Sequence, residues 1–209
     1  TREYIDPIRY ISNESSGKQG YEIAMALNKL GVKTTLITGP SQLASPKGIK
    51  VKKIISADEM LNEVKKTLPV DLAVCTAAVT DFKPAEKNKH KITKEKLNLK
   101  SIKFIKNNDI LNFLSKNNRN RPQIVAGFSA ETKNVIKNSA LKMKNKNCDL
   151  IFANDVSKKD IGFNSNFNKV SMIDQKGNVK IIPKNKKSFI AHKIAQILLD
   201  KLLDDRNFN

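Results

Sequence analysis

Apolar residues fall into helical register immediately after a polar, glycine-containing stretch. Tyr21, Ile23, Ala24, Leu27 and Leu30 follow Arg9-Tyr10-Ile11-Ser12-Asn13-Glu14-Ser15-Ser16-Gly17-Lys18-Gln19-Gly20. That spacing predicts a helix from about Lys18 to Leu30, stopped by Gly31. Val32 to Thr38 then reads as a β-branched strand closed by Gly39-Pro40. A helix leading into a strand is half of an α/β unit, whose first strand is expected upstream of Thr1. After a Pro- and Gly-marked loop, Ile49 to Ile55 is a second strand. Ser56-Ala57-Asp58-Glu59 has the form of a capping box and opens a helix burying Met60, Leu61 and Val64, with Pro69 closing the section. Leu72 to Val79 is a near-continuous apolar run, the mark of a central parallel strand covered on both faces.

Lys83 to Lys100 is lysine-rich with few apolar residues, too long for an ordinary loop, and is expected to be a flexible flap. Ile102 to Ile105 resumes as a strand, and Asn107-Asn108-Asp109 caps a short helix through Leu114. Ile124 to Phe128 is a strand leading into Ser129-Ala130-Glu131-Thr132. The following helix carries Lys142 and Lys146 one turn apart, hence on one face. Cys148 to Ala153 is the next strand. Lys169 to Asp174 and Val179 to Ile182 form a hairpin through Gln175-Lys176-Gly177-Asn178. Its edge is either a dimer contact or a plain flap. A final amphipathic helix follows Ser188. The pattern predicts one domain over residues 1–209: an α/β, doubly wound, Rossmann-like fold with a mostly parallel sheet and a C-terminal β-hairpin.

Composition supports a folded chain: 39% of the 209 residues are hydrophobic and 28% charged. No apolar run approaches the length of a membrane span and none is laid out as a signal peptide, so a cytoplasmic protein is expected. Cys75 and Cys148 lie in or beside apolar runs without neighbouring ligands, which reads as buried thiols rather than a zinc site. The net charge of +19 invites a nucleic-acid partner. Its distribution argues against one, since the lysines are scattered and no aromatic residues interleave with them as single-strand platforms require. A polyanionic small ligand makes better use of them. The Ser15-Ser16-Gly17 stretch suits an anion, because free N–H groups and the helix dipole meet there and Gly17 and Gly20 allow close approach. It is neither a P-loop nor a dinucleotide fingerprint, and an ordinary capped helix start remains open.

Taken together, the motifs resemble those of bacterial phosphopantothenoylcysteine synthetase over nearly the whole length. They are Asp6-Pro7-Ile8-Arg9-Tyr10-Ile11-Ser12-Asn13 with Ser15-Ser16-Gly17-Lys18; Ala77-Ala78-Val79-Thr80-Asp81-Phe82; Lys91-Ile92-Thr93-Lys94; Asn107-Asn108-Asp109-Ile110-Leu111; Gly127-Phe128-Ser129-Ala130-Glu131-Thr132; and Asp149 to Val156 followed by Gly162 to Ser165. The resemblance implies a ligase joining 4′-phosphopantothenate to L-cysteine with CTP and Mg²⁺ through an acyl-cytidylate. It implies Asn13 and Lys91 as catalytic residues and Arg9 and Ala78 as substrate-binding. For the nucleotide it implies Ser15, Ser16, Gly17, Ala77, Asp81, Asn108, Asp109, Ile110, Leu111, Phe128, Lys142 and Lys146. The flap motif departs at its third position, and Asn108 stands where many relatives have Pro. Phe128 as plain core, and Lys142 or Lys146 as a solvated face, are the bland alternatives. The resemblance also implies a homodimer. Fusion behind a flavin-dependent decarboxylase, which would carry FMN outside this chain, fits the start at Thr1, as does a stand-alone enzyme. An ATP-using ligase and a non-catalytic nucleotide- or nucleic-acid-binding module are the rival readings.

Overall fold

The computed structural model describes residues 1–93, 102–116, 119–157, 161 and 165–207. Its elements in chain order are β1 (Glu3–Tyr4), β2 (Tyr10–Ile11), α1 (Lys18–Lys29), β3 (Thr35–Thr38), β4 (Lys50–Lys53), α2 (Ala57–Thr67), β5 (Leu72–Cys75), β6 (Phe82–Pro84), β7 (Phe104–Lys106), α3 (Ile110–Lys116), β8 (Ile124–Glu131), α4 (Val135–Lys146), β9 (Leu150–Asp155), β10 (Phe167–Asp174), β11 (Val179–Lys186) and α5 (Lys187–Asn207). The main sheet runs β11-β10-β9-β8-β5. β5, β8 and β9 are parallel, and β10 and β11 continue antiparallel. β3 and β4 form a separate parallel pair.

Alternation along the strands divides the core between two helical layers. Ile124, Ala126, Leu150 and Phe152 face α1 and α5, whereas Val125, Ile151 and Ala153 face α2, α3 and α4. In α5, Ile190, Ala191, Ile194, Ala195 and Leu198 have no exposed surface, the stripe its spacing predicts. Burying one such aliphatic side chain is worth about 1.5–3 kcal/mol. The capping box of α2 forms: Ser56 Oγ accepts the Glu59 N–H at 3.2 Å, and Glu59 Oε2 accepts the Ile55 N–H at 2.8 Å.

Several expectations shift. β5 ends at Cys75 instead of Val79, and β8 runs on to Glu131 because β9 partners it as far as Glu131↔Asp155. The hairpin spans 167–186 rather than 169–182, since pairing continues past a bulge to Phe167↔Lys186. Lys83 belongs to no flap: with Phe82 and Pro84 it forms β6, antiparallel to β7. The strand expected at Ile102 to Ile105 is therefore half of a two-stranded arm outside the main sheet. Among the described residues no helix is long and apolar enough to cross a membrane.

Candidate active site

At the carboxyl ends of parallel strands the chain turns away from the sheet and leaves backbone groups available to a ligand. After β5 the residues Thr76 to Asp81 make the first such turn. Beside it, Asp109 caps α3 by accepting the Asn112 N–H at 2.9 Å through Oδ1, and its Oδ2 pairs with Lys146. Lys142, one turn earlier on α4, donates to the Phe128 carbonyl at 3.0 Å. The two lysines of one helix face thus reach the N-terminal cap of α3 and the middle of β8. Phe128 is half-buried, tilted against Phe152 with ring centroids 5.3 Å apart. Gly127 makes this arrangement possible, because a Cβ there would lie 2.7 Å from Leu111 Cδ2. The result is a cavity of about 970 Å³ whose mouth is walled by Ala77, Asp81, Asn108, Phe128, Lys142 and Lys146.

A smaller hollow of about 500 Å³ adjoins it, with Asn13, Asp81 and Phe82 among its walls. A charged knot sets the base of the loop that carries Asn13. Asp6 has no exposed surface. Its Oδ1 accepts the N–H groups of Ile8 at 3.0 Å and Arg9 at 2.9 Å, and its Oδ2 accepts that of Ile92 at 3.3 Å. The Arg9 guanidinium lies 3.3 Å from Oδ2 and donates to the Ile92 carbonyl at 3.3 Å. Burial pushes the Asp6 carboxyl up, but these donors and the guanidinium outweigh it and hold the group below the ordinary carboxylate range. Lys91-Ile92-Thr93 is thereby docked on the loop at residues 6–9, with the Asn88 N–H on the Ile5 carbonyl as a second tie at 2.9 Å. Asn13 Nδ2 donates to the Val79 carbonyl at 3.0 Å. Asn13 therefore touches the same turn that walls the larger cavity.

The remaining candidates fall into three groups. Ile110 and Leu111 are buried side chains that back the larger cavity. Arg9, Lys91 and Ala78 lie off both walls. Ser15, Ser16 and Gly17 also stand apart: Ser15 Oγ accepts the Gly17 N–H at 3.3 Å, Ser16 Oγ accepts the Lys18 N–H at 3.4 Å, and Gly17 has φ 72° beside Ser41. Gly20 lets α1 approach Thr76, whose Oγ1 would lie 2.6 Å from a Cβ there, and both residues line the larger cavity. Lys94 lies outside the described residues. Asp58 was missed: at the start of α2 it receives both the Asn108 amide and the Lys83 ammonium. Its place in a capping box was the only signal, and that signal concerns α2 alone.

Residues 1–202 match the family described as the DNA/pantothenate metabolism flavoprotein C-terminal domain, DFP. The chain belongs to this family. DFP relatives include the coenzyme A biosynthesis bifunctional protein CoaBC of Borreliella burgdorferi, 42% identical over 200 residues, covering 95% of this chain and 50% of that protein. CoaBC of Escherichia coli K12 is 38% identical over 213 residues, covering 99% and 51%. The chain spans about half the length of the curated relatives it matches. The crystal structure of the C-terminal domain of CoaBC superposes with a TM-score of 0.80 at 32% identity, over 98% of this chain and 92% of that one. A Cab2 mutant in complex with phosphopantothenate-cysteine shares the fold at 14% identity and a TM-score of 0.76, over 99% and 86%. This DFP chain is thus a CoaB-type domain of the coenzyme A biosynthesis family, the one its motifs resemble.

Proposed function

We propose that this chain forms 4′-phosphopantothenoyl-L-cysteine from 4′-phosphopantothenate, L-cysteine and CTP. The observation that carries the reading is the shared turn at Thr76 to Asp81. It brings the cavity of Lys142 and Lys146 into contact with Asn13, the residue that matches the family's catalytic amide. The pantothenate carboxylate attacks the α-phosphate of CTP, pyrophosphate leaves, and an acyl-cytidylate results. The amine of cysteine then attacks the acyl carbon, loses a proton and expels CMP. Lys142 and Lys146 neutralise phosphate charge, and the Asn13 amide donates to the acyl oxygen as it becomes an oxyanion. Arg9 and Lys91, which the resemblance marks as substrate-binding and catalytic, are cationic groups held together by the Asp6 knot beside the loop that carries Asn13. Mg²⁺ would neutralise the triphosphate further. Asp81 and Asp109 are carboxylates on the cavity wall that could meet such an ion. A cytoplasmic homodimer, using no membrane and no nucleic acid, completes the proposal.

Pyrophosphate release tests it, with 4′-phosphopantothenate, Mg²⁺ and either CTP or ATP, each with and without L-cysteine. Release with CTP that depends on phosphopantothenate is expected. Release with ATP alone would reassign the nucleotide, and no release from folded protein would leave a binding module.

A further inference from the structure

Two of the segments that wall the polar mouth of the larger cavity lie outside the main sheet: the end of the turn at Thr76 to Asp81, and Asn107 to Asp109, which lead into α3. They meet at the root of the β6–β7 arm. The Asn107 N–H donates to the Asp81 carbonyl at 2.8 Å, and Asn107 Nδ2 donates to Thr80 Oγ1 at 3.3 Å. The Asn108 N–H donates in turn to Asn107 Oδ1 at 3.0 Å. These bonds tie the two segments to each other, and Asp58 ties both to α2. Its Oδ1 accepts the Asn108 amide and its Oδ2 the Lys83 ammonium, each at 2.5 Å. One carboxylate therefore reaches residues 50 and 25 positions away, one on each side of the mouth. Lys83 stands two residues past Asp81, and Asn108 immediately precedes Asp109, the cap of α3 and the partner of Lys146.

We propose that Asp58 is a positioning residue for the nucleotide: through Asn108 and Lys83 it sets the spacing between the Asp81 turn and the start of α3, and with it the place of Asp109 and Lys146 at the mouth. This inference rests on the ligase reading above. Asp58 adds little to α2 itself, because Ser56 and Glu59 close the capping box without it. Its side chain is 49% exposed, where an ion pair contributes little to stability. A carboxylate only accepts, so Asp58 also fixes which way the Asn108 amide is turned. Asp58 stands behind the cavity wall and not in it, so it acts through the residues it holds. A wall segment that the ligand must order subtracts the ordering cost from binding, and one ordered beforehand does not. Asn13, the amide assigned to the acyl group, is held separately by the Val79 carbonyl. The effect of Asp58 therefore falls on the nucleotide and not on the attack by the amine of cysteine.

The test compares the parent with Asp58→Ala, with the pair Lys83→Met/Asn108→Ala, and with all three substitutions together. Pyrophosphate release gives the KM values for CTP and L-cysteine. Amide hydrogen exchange is read at Asn112, whose N–H the Asp109 cap accepts, and at Val125, whose N–H Asp149 accepts. Asp58→Ala is expected to raise the CTP KM about three- to tenfold, the lower end of what a hydrogen bond to a charged group is worth when the carboxylate is half exposed. The KM for L-cysteine should not move. Exchange at Asn112 should quicken by a similar factor while Val125 keeps its rate. In the Lys83→Met/Asn108→Ala background Asp58→Ala should change neither quantity, because the carboxylate then has nothing to hold. An unchanged CTP KM, equal rises in both KM values, or a full further effect in the paired background would overturn the proposal. A parent that releases no pyrophosphate would sink the ligase reading; faster Asn112 exchange in Asp58→Ala would then still uphold the tether, and an unchanged rate would overturn it.

Discussion

Replacing Gly127 by alanine probes the contact that brings α3 onto the sheet. Gly127 sits in β8 between Cys75 of β5 and Ile151 of β9, so its backbone is held on both sides and cannot retreat. The new methyl group would lie 2.7, 3.4 and 3.6 Å from Leu111 Cδ2, Cδ1 and Cγ. Turning χ2 exchanges one methyl for the other and leaves Cγ in place. Leu111 is 9% exposed and backs the cavity, so relief requires its χ1 to turn into that space or α3 to move, each at the expense of its present packing. Overpacking of this kind costs about 1–3 kcal/mol. The loss of glycine's freedom in the unfolded chain offsets about 0.4–1 kcal/mol. The middle of each range leaves a net destabilisation of about 1.3 kcal/mol, a fall in Tm of roughly 3–5 °C for a chain of this size. Thermal unfolding by circular dichroism measures it for G127A, L111A and the double variant. L111A alone loses its own packing, about 2–5 kcal/mol, but it also removes the clash, so G127A should cost little in its background. A G127A protein as stable as its parent, or strictly additive effects, would refute the close-packing argument.

Other predictions follow from the site. Asn13→Ala should lower pyrophosphate release by about 10²–10³-fold with unchanged circular dichroism, because the residue is exposed; full activity would remove Asn13 from the chemistry. Lys142→Met should raise the nucleotide KM by roughly 10–100-fold, the worth of a hydrogen bond to a charged group, and leave the KM for L-cysteine alone; equal rises for both would point to a structural role. Asp6→Asn should speed hydrogen exchange at Ile92 and Asn88 more than at the Asp149-bonded amide of Val125, and uniform rates would show that the knot does not hold that segment. Burial, then the neighbouring Cys148 and Asp109, push the Cys75 thiol up to about 12, and burial and Asp149 push Cys148 up to about 11. Above the ordinary value of 9.0 the unfolded chain releases thiol protons that the native chain keeps. Stability should therefore be intact below pH 9 and fall between pH 9 and 11, by up to about 1.4 kcal/mol per pH unit per thiol. Urea denaturation should show this extra slope in the parent and not in the C75S/C148A variant; identical slopes would contradict it.

Elements governed by local periodicity were legible: the α1 and α5 stripes, the α2 capping box and the hairpin turn, where Asp174 Oδ1 accepts the Lys176 and Asn178 N–H groups at 3.0 and 2.9 Å. Strand ends were not, because a strand stops where its neighbour stops. β5 reads as apolar through Val79, yet its pairing with β8 ends at Cys75↔Gly127. The β6–β7 arm escaped for the same reason. Phe82-Lys83-Pro84 carries no strand pattern of its own and pairs with residues on the far side of a lysine-rich segment. For the site, the motifs named Asn13, Asp81, Asn108, Phe128, Lys142 and Lys146, which wall the two cavities, together with Arg9, Lys91, Ala78, Ser15, Ser16 and Gly17, which do not, and they gave no sign of most of the contacts that hold these residues in place. Asp6 and Ile92 meet across 86 positions and Lys83 and Asp58 across 25, separations at which no spacing rule operates.

Three carboxylates around the site, Asp6, Asp58 and Asp109, give its electrostatics a particular form. In a chain of net charge +19, acidic groups near a cavity proposed to take an anion oppose the ligand unless they do something else. Each of these three does. Asp6 fixes Arg9 and Ile92, Asp58 fixes Lys83 and Asn108, and Asp109 fixes Lys146 while capping α3. Holding a flexible lysine in one rotamer costs side-chain entropy of up to about 2 kcal/mol. A carboxylate that bears this cost before the ligand arrives leaves less for binding to supply. On the proposed function, an incoming phosphate would compete with Asp109 for Lys146 at short range, but would meet Lys142 held, among the described residues, by the neutral Phe128 carbonyl. Lys142 is accordingly expected to be the first lysine to transfer to a ligand. Removing Asp109 should loosen Lys146 without making it a better phosphate ligand.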